Sequence, residues 1–243
     1  MSEIAPRFPE FHLKLPGGVV FEMVKIRPGS FMMGSPDGVG WNDEHPLHRV
    51  YITRPFYMGK YPVTQAQYEA VMGDNPSRFK GSDRPVEEVS WHDAMEFIER
   101  LNREAGKDVY QLPTEAQWEY ACRAGSGGRW CFGDDESGLG EYAWYRENSG
   151  GKTHPVGKKR PNAFGLYDMH GNVWEWCRDW YQEDYYSHSP EFDPRGPDNG
   201  GLRVYRGGGW DSYAACCRSG YRHVNRPGDR DSGIGFRPVR LFP

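Results

Sequence analysis

The scarcity of aliphatic side chains, set against an abundance of rings, constrains this chain more than any other feature. Hydrophobic residues make up 37% of 243 positions and the mean hydropathy is -0.83, so a core of Leu, Ile and Val alone would be thin. Nine Trp, fifteen Tyr and twelve Phe change that balance, because each ring buries roughly 150–250 Å². Thirty-one Gly and nineteen Pro supply turns. Rings joined by turns predict an ordered, loop-rich fold. Neither half has enough aliphatic residues for a core of its own, so a single domain over 1–243 is expected.

A formal charge of -4 and a pI near 6.1 provide no basic field for a phosphate backbone, which argues against nucleic-acid binding. Residues 1–16 carry charges and prolines without an apolar run, predicting no signal peptide, no membrane span and a cytoplasmic location. The five cysteines are an odd number without CxxC spacing, and Cys216 and Cys217 are adjacent. Free thiols in a reducing compartment are expected.

Local patterns place the elements. Residues 19–35 form a β-rich run broken at Pro28-Gly29, read as a hairpin, with a further strand at 50–53. Three helices each open on a capping signal. One follows Thr64 and stops at Gly73; one runs from Ser90 to about Gly106 with Trp91, Ala94, Phe97, Ile98 and Leu101 on one stripe; one follows Thr114 and ends at Gly125. Beyond Gly125 only short strands are predicted, near 171–180 and 202–206. His45 and His48 are separated by Pro46 and cannot form a helical ligand pair. Most histidines read as structural, and the scattered Asp and Glu as solvated faces without a general acid–base pair.

The run NAFGLYDMHGNVWEW at 162–176 resembles the central signature of the formylglycine-generating-enzyme, or sulfatase-modifying factor, family. Further stretches similar to that family follow in one order: GSFMMGS, PFYMGKYPVTQAQYEAVMG, PVEEVSW, LPTEAQWEYACRAG, THPVG, RVYRGGGW and GFRPVR. The resemblance implies an α+β, C-type-lectin-like fold with a twisted antiparallel sheet, two to three flanking helices and long ordered loops. It also implies one structural Ca²⁺ held by the side chains of Asp168 and Glu175 and the carbonyls of Gly171 and Val173, an oxygen set suited to a hard cation. No match to a second calcium site of some relatives is found in 138–152.

The same resemblance exposes a departure. Family oxidases use a Cys-x4-Cys pair whose thiolates hold Cu(I). Here Gly209 stands where those members have Ser, Ser212 where the first Cys belongs, and Cys217 at the second. A hydroxyl cannot replace a thiolate on Cu(I), so no copper is expected and Cys217 reads as vestigial. Cys216 is no substitute, because neighbouring side chains of an extended segment point apart.

Residues 210–237 resemble the variable region of retroelement-diversified ligand-binding proteins. A fixed frame of Trp210, Cys217, Arg218, Ser219, Arg222, Pro227, Arg230, Ile234, Gly235, Phe236 and Arg237 would hold variable positions at Asp211, Ser212, Tyr213, Ala215, Cys216, Tyr221, His223, Val224, Asn225, Arg226, Asp229, Asp231, Ser232 and Gly233. Randomising the adenines of an Asn codon never yields Lys, Glu, Gln, Met or Trp, and none of these occurs at those positions. The expectation is therefore a non-oxidase module whose 211–233 surface, with Trp210 beside it, binds a protein or other macromolecular ligand. An oxidoreductase acting through Cys217 on a peptide or small aromatic substrate and an accessory subunit of a larger assembly are the alternatives.

Overall fold

The protein is described here by a computed structural model covering residues 10–242. Residues 1–9 of the N-terminal segment lie outside the described residues. The elements are β1 (Glu10–Lys14), β2 (Val20–Ile26), β3 (Gly29–Met33), β4 (His48–Ile52), β5 (Phe56–Gly59), α1 (Gln65–Met72), α2 (Trp91–Ala105), β6 (Tyr110–Gln111), α3 (Glu115–Arg123), α4 (Leu139–Tyr142), β7 (Trp174–Trp180), β8 (Arg203–Arg206), β9 (Arg222–Asn225), β10 (Ile234–Phe236) and β11 (Val239–Leu241). Among the described residues no helix is long and apolar enough to cross a membrane.

The three longest helices begin where local chemistry says they must. At Thr64, Ser90 and Thr114 the hydroxyl accepts from the third residue of the helix, and the side chains of Gln67, Asp93 and Gln117 reciprocate on the cap's own N–H. Gly73 and Gly106 end α1 and α2 in the left-handed conformation. The third helix ends one residue before the glycine expected to stop it, on Ala124 at φ 47°.

Two features of the strand pattern differ from the sequence expectation. The run over 19–35 is not a hairpin: β2 pairs with β1 and β5, while β3 leaves for a separate two-stranded sheet with β4. Pro28 and Gly29 therefore mark a change of sheet. The sheets are also not wholly antiparallel, since β10 lies parallel to β7 with Ile234 opposite Trp174. A five-stranded sheet (β1-β2-β5-β11-β6) and a four-stranded sheet (β10-β7-β8-β9) carry the rest, and α4 adds one helical turn where only strands were expected.

Rings do fill the interior. Trp118, Trp130, Trp176, Phe21, Phe56, Phe97 and Phe236 are among the largest fully buried side chains. One cluster joins Phe97, Ile98 and Leu101 of α2 to Trp176, Tyr205 and Phe236 of the C-terminal half, so the two halves share a core. Arg206 and Arg237 are equally buried, and what neutralises them shapes the site.

Candidate functional site

After β8 the chain turns at Gly207 and Gly208, both at positive φ, and a Cβ at Gly208 would lie 2.5 Å from the Cys217 sulfur. Loop 209–221 then leads through a 3-10 turn (Ala214–Cys217) into β9, and a second loop into β10. Carboxylates from elsewhere hold these loops. Arg206 pairs with Glu115 at 3.0 Å and with Glu119, Arg222 with Glu115 at 2.7 Å, Arg218 with Glu44 at 2.7 Å, and Arg237 with Glu175 at 2.7 Å. All these partners are buried. The expectation that acids outside the calcium set form solvated faces is thus overturned for Glu44, Glu115 and Glu119. The reason is that each meets an arginine remote in sequence. Burial alone would raise the Glu115 carboxyl, but Arg222 and Arg206 outweigh it and hold the group below the ordinary range.

Asp179 is the exception in this network, accepting from the Glu115 N–H but gaining no arginine of its own. Burial, with Glu115 alongside, pushes its carboxyl up to about 8. A carboxyl raised on folding favours the folded state while protonated, and that advantage is lost as pH rises toward 8. Between pH 6.5 and 8 stability should therefore fall by roughly 1–2 kcal/mol, at up to about 1.4 kcal/mol per pH unit. Urea unfolding of Asp179→Asn should lack this slope; an equal slope in the variant assigns it elsewhere.

The positions expected to vary separate by exposure. Asp211, Tyr213, Ala215, His223, Arg226 and Asp231 are exposed, and Cys216, Tyr221, Val224, Asn225 and Asp229 are half-buried. Ser212, Ser232 and Gly233 are buried and offer no surface. Of the expected frame, Cys217, Arg218, Ser219, Arg222 and 234–237 are buried, Trp210 and Pro227 half-buried, and Arg230 exposed but paired with Asp93 at 2.8 Å. The Trp210 indole donates to the Ser232 carbonyl. Trp174 underlies the surface with Tyr221 at 5.8 Å and His223 at 5.4 Å between ring centres, and His223 stacks on Tyr205 at 4.9 Å. Tyr213 is 61% exposed, with the Arg146 guanidinium 4.6 Å from its ring centre.

Beside these loops lies a groove of about 590 Å³ whose walls include Tyr221 and His223 together with Trp41, Asp43, Tyr181 and Glu183. The last four were not foreseen. Trp41, 64% exposed, sits in a glycine-rich stretch with no periodicity, and only its solitary bulk there could have flagged it.

The thiols are less available than their positions suggest. Cys217 is fully buried and burial pushes its thiol well above the usual range. The Ser212 hydroxyl accepts from the Gly209 N–H at 2.8 Å. Cys216 and Cys217 lie on a 3-10 turn, so the extended-strand reason for separating them is replaced: Cys216 packs partly exposed in the cluster that includes Tyr221, while Cys217 joins the Trp130 cluster. All five cysteines are free. His170 ties this region together structurally, with Nδ1 donating to the Cys217 carbonyl at 2.8 Å and Nε2 accepting from the Cys131 N–H at 3.2 Å. Burial draws its pKa down to about 4, so it remains a neutral strap.

The expected calcium ligands fit in part. Asp168 is 2% exposed at φ 56°, and burial raises its carboxyl to about 6. One of its oxygens accepts from the Gly157 N–H at 2.8 Å; the other has only a 3.4 Å contact from the Asn172 amide. That oxygen suits a hard cation. Glu175 does not share this freedom, because Arg237 and the Trp118 indole occupy both its oxygens.

The sulfatase-modifying factor enzyme 1-like domain matches this chain over residues 15–241. The formylglycine-generating enzyme of Streptomyces coelicolor is 33% identical, the match covering 88% of this chain and 87% of that protein. Among solved structures, Treponema denticola variable protein 1 superposes with a TM-score of 0.89 at 33% identity, covering 96% of this chain and 99% of that one. PvdO from Pseudomonas aeruginosa superposes at 0.84, also 33% identical, over 98% and 100%. The mixed sheets, flanking helices and long ordered loops are thus the C-type-lectin-like fold of these relatives, and the chain belongs to the sulfatase-modifying factor (formylglycine-generating-enzyme-like) family.

Proposed function

We propose that this protein is a ligand-binding module rather than an oxidase, and that the surface formed by 211–231 and the Trp41 groove receives a protein or other macromolecule carrying basic groups. The observation behind this reading is the split within the C-terminal segment: Arg218, Arg222 and Arg237 are ion-paired in the interior, while eleven of the fourteen positions expected to vary are exposed or half-buried. Such a surface can change without disturbing the core beneath it. The likeness to a Treponema variable protein supports it. Tyr and Trp provide contact area at low entropic cost. Asp43, Glu183, Asp211, Asp229 and Asp231 border the surface and outnumber its exposed Arg226 and Arg146, and Arg230 is paired with Asp93, a balance that favours a basic partner.

Cross-linking capture from source cells, repeated with Tyr213→Ala, Tyr221→Ala and Trp41→Ala, tests the reading. A partner lost more than tenfold in these variants, at unchanged melting temperature, is expected; a partner retained equally by all would contradict it. The oxidase reading draws on identity to a formylglycine-generating enzyme. One equivalent of tightly held Cu(I), with oxygen consumption on a cysteine peptide that Cys217→Ala abolishes, would favour it instead.

We also propose that Asp168 and the carbonyls of Gly171 and Val173 hold a Ca²⁺ with Glu175 at its margin. The support is the burial of Asp168 and its weakly engaged oxygen. At a hundredfold excess over Kd, calcium should add about 2.7 kcal/mol, or roughly 5–10 °C in melting temperature. EGTA should reverse the gain and Asp168→Asn should remove it. Identical melting with calcium and with EGTA would leave Asp168 as a buried acid only.

A further inference from the structure

Away from the acidic groove, three arginines gather without carboxylate partners. Arg203, in β8, lies between two tryptophans, its guanidinium carbon 3.9 Å from the Trp91 ring centre and 3.3 Å from that of Trp180. Nη1 donates to the Arg178 carbonyl, but Nε is buried with no partner. A buried N–H without an acceptor costs stability unless something supplies one. Arg178 and Arg195 are exposed on the walls of the same cavity, about 440 Å³, which Arg203, Trp91 and Trp180 also line. Arg178 donates to the Gln111 side-chain oxygen, and among the described residues none of the three arginines makes an ion pair.

The local charge is out of keeping with a chain of net charge -4. Asp198 is the carboxylate lining this cavity. Asp179 lies close enough to influence Arg203, but burial shifts its carboxyl toward the neutral form. Burial, with Arg178 alongside, draws Arg203 down to about 10, the direction expected of an undercompensated cation. Arg178 and Arg195 continue along the wall of a neighbouring cavity that also contains Arg54 and one carboxylate, Asp193, which accepts from Thr53.

We infer that the cavity between Arg178, Arg195 and Arg203 binds an oxyanion of the phosphate type. Arginine presents a planar fork of donors that matches tetrahedral oxyanions, and the surplus of positive groups over Asp198 favours a doubly charged ligand. The site is separate from the Trp41 groove and does not depend on the binding role proposed there.

Calorimetric titration of the full chain with inorganic phosphate, at constant ionic strength and with chloride as the competing salt, tests this directly. One saturable site is expected. Arg195→Ala and Arg178→Gln change exposed side chains, so they should fold normally while weakening phosphate at least tenfold. Parallel titrations with phosphoserine and a phosphoserine-containing peptide separate free phosphate from a phosphorylated partner. Tighter binding of the peptide assigns the site to a partner, and equal binding assigns it to the small anion. No saturable heat in the native chain, or unchanged affinity in both variants, would overturn the inference.

Discussion

Glu115→Ala should lower stability by about 3–5 kcal/mol, because it strips the buried Arg222 of the carboxylate that neutralises it and leaves Arg206 to Glu119 alone. For a chain of this size that corresponds to a fall of roughly 6–20 °C in melting temperature. Arg230→Ala is the matched control. Its pair with Asp93 is also a close contact at 2.8 Å, but the Arg230 side chain is 56% exposed, so a loss under about 1 kcal/mol is expected. Chemical denaturation of both variants checks the contrast. Equal small losses would mean that the buried pairs do not anchor the C-terminal loops.

Gly171→Ala should be nearly as damaging, for a different reason. Gly171 holds φ at 86°, and a Cβ there would stand 2.3 Å from the Trp144 carbonyl oxygen, a backbone atom with little room to retreat. That oxygen accepts from the Asn172 N–H, while the Gly171 N–H donates to the Gly207 carbonyl, just before loop 209–221. Left-handed strain of roughly 1–2 kcal/mol and overpacking of roughly 1–3 kcal/mol together predict a loss of about 2–5 kcal/mol. A melting temperature within 2 °C of the native chain would show that the GNVWEW turn is more pliant than its geometry implies.

What was legible in the sequence was mostly local. Thr64, Ser90 and Thr114 announced helix starts because a cap and its reciprocal partner are three residues apart. The missing thiol at Ser212 could be read because a resemblance fixes its position. Non-local pairing was not visible. Strand β1 alternates exposure along Glu10–Lys14, yet its charged ends and the prolines on either side, Pro9 and Pro16, masked it, and only the partner β2 makes it a strand. The same holds for charge. Glu44 and Arg218 lie far apart in the chain; the resemblance set Arg218 in the fixed frame, but nothing near Glu44 marks it as its buried partner. Trp41 and Glu183 entered the candidate site for the same reason: distant loops bring them beside Tyr221.

A stability scan of every position in 210–237 tests whether this segment divides into a buried frame and an outward surface. Substitutions at Asp211, Tyr213, Ala215 and Arg226 should shift unfolding by less than about 0.5 kcal/mol, whereas those at Arg218, Arg222, Phe236 and Arg237 should cost several. Comparable losses at the outward positions would mean that those side chains support the fold, and the binding-surface reading would fail.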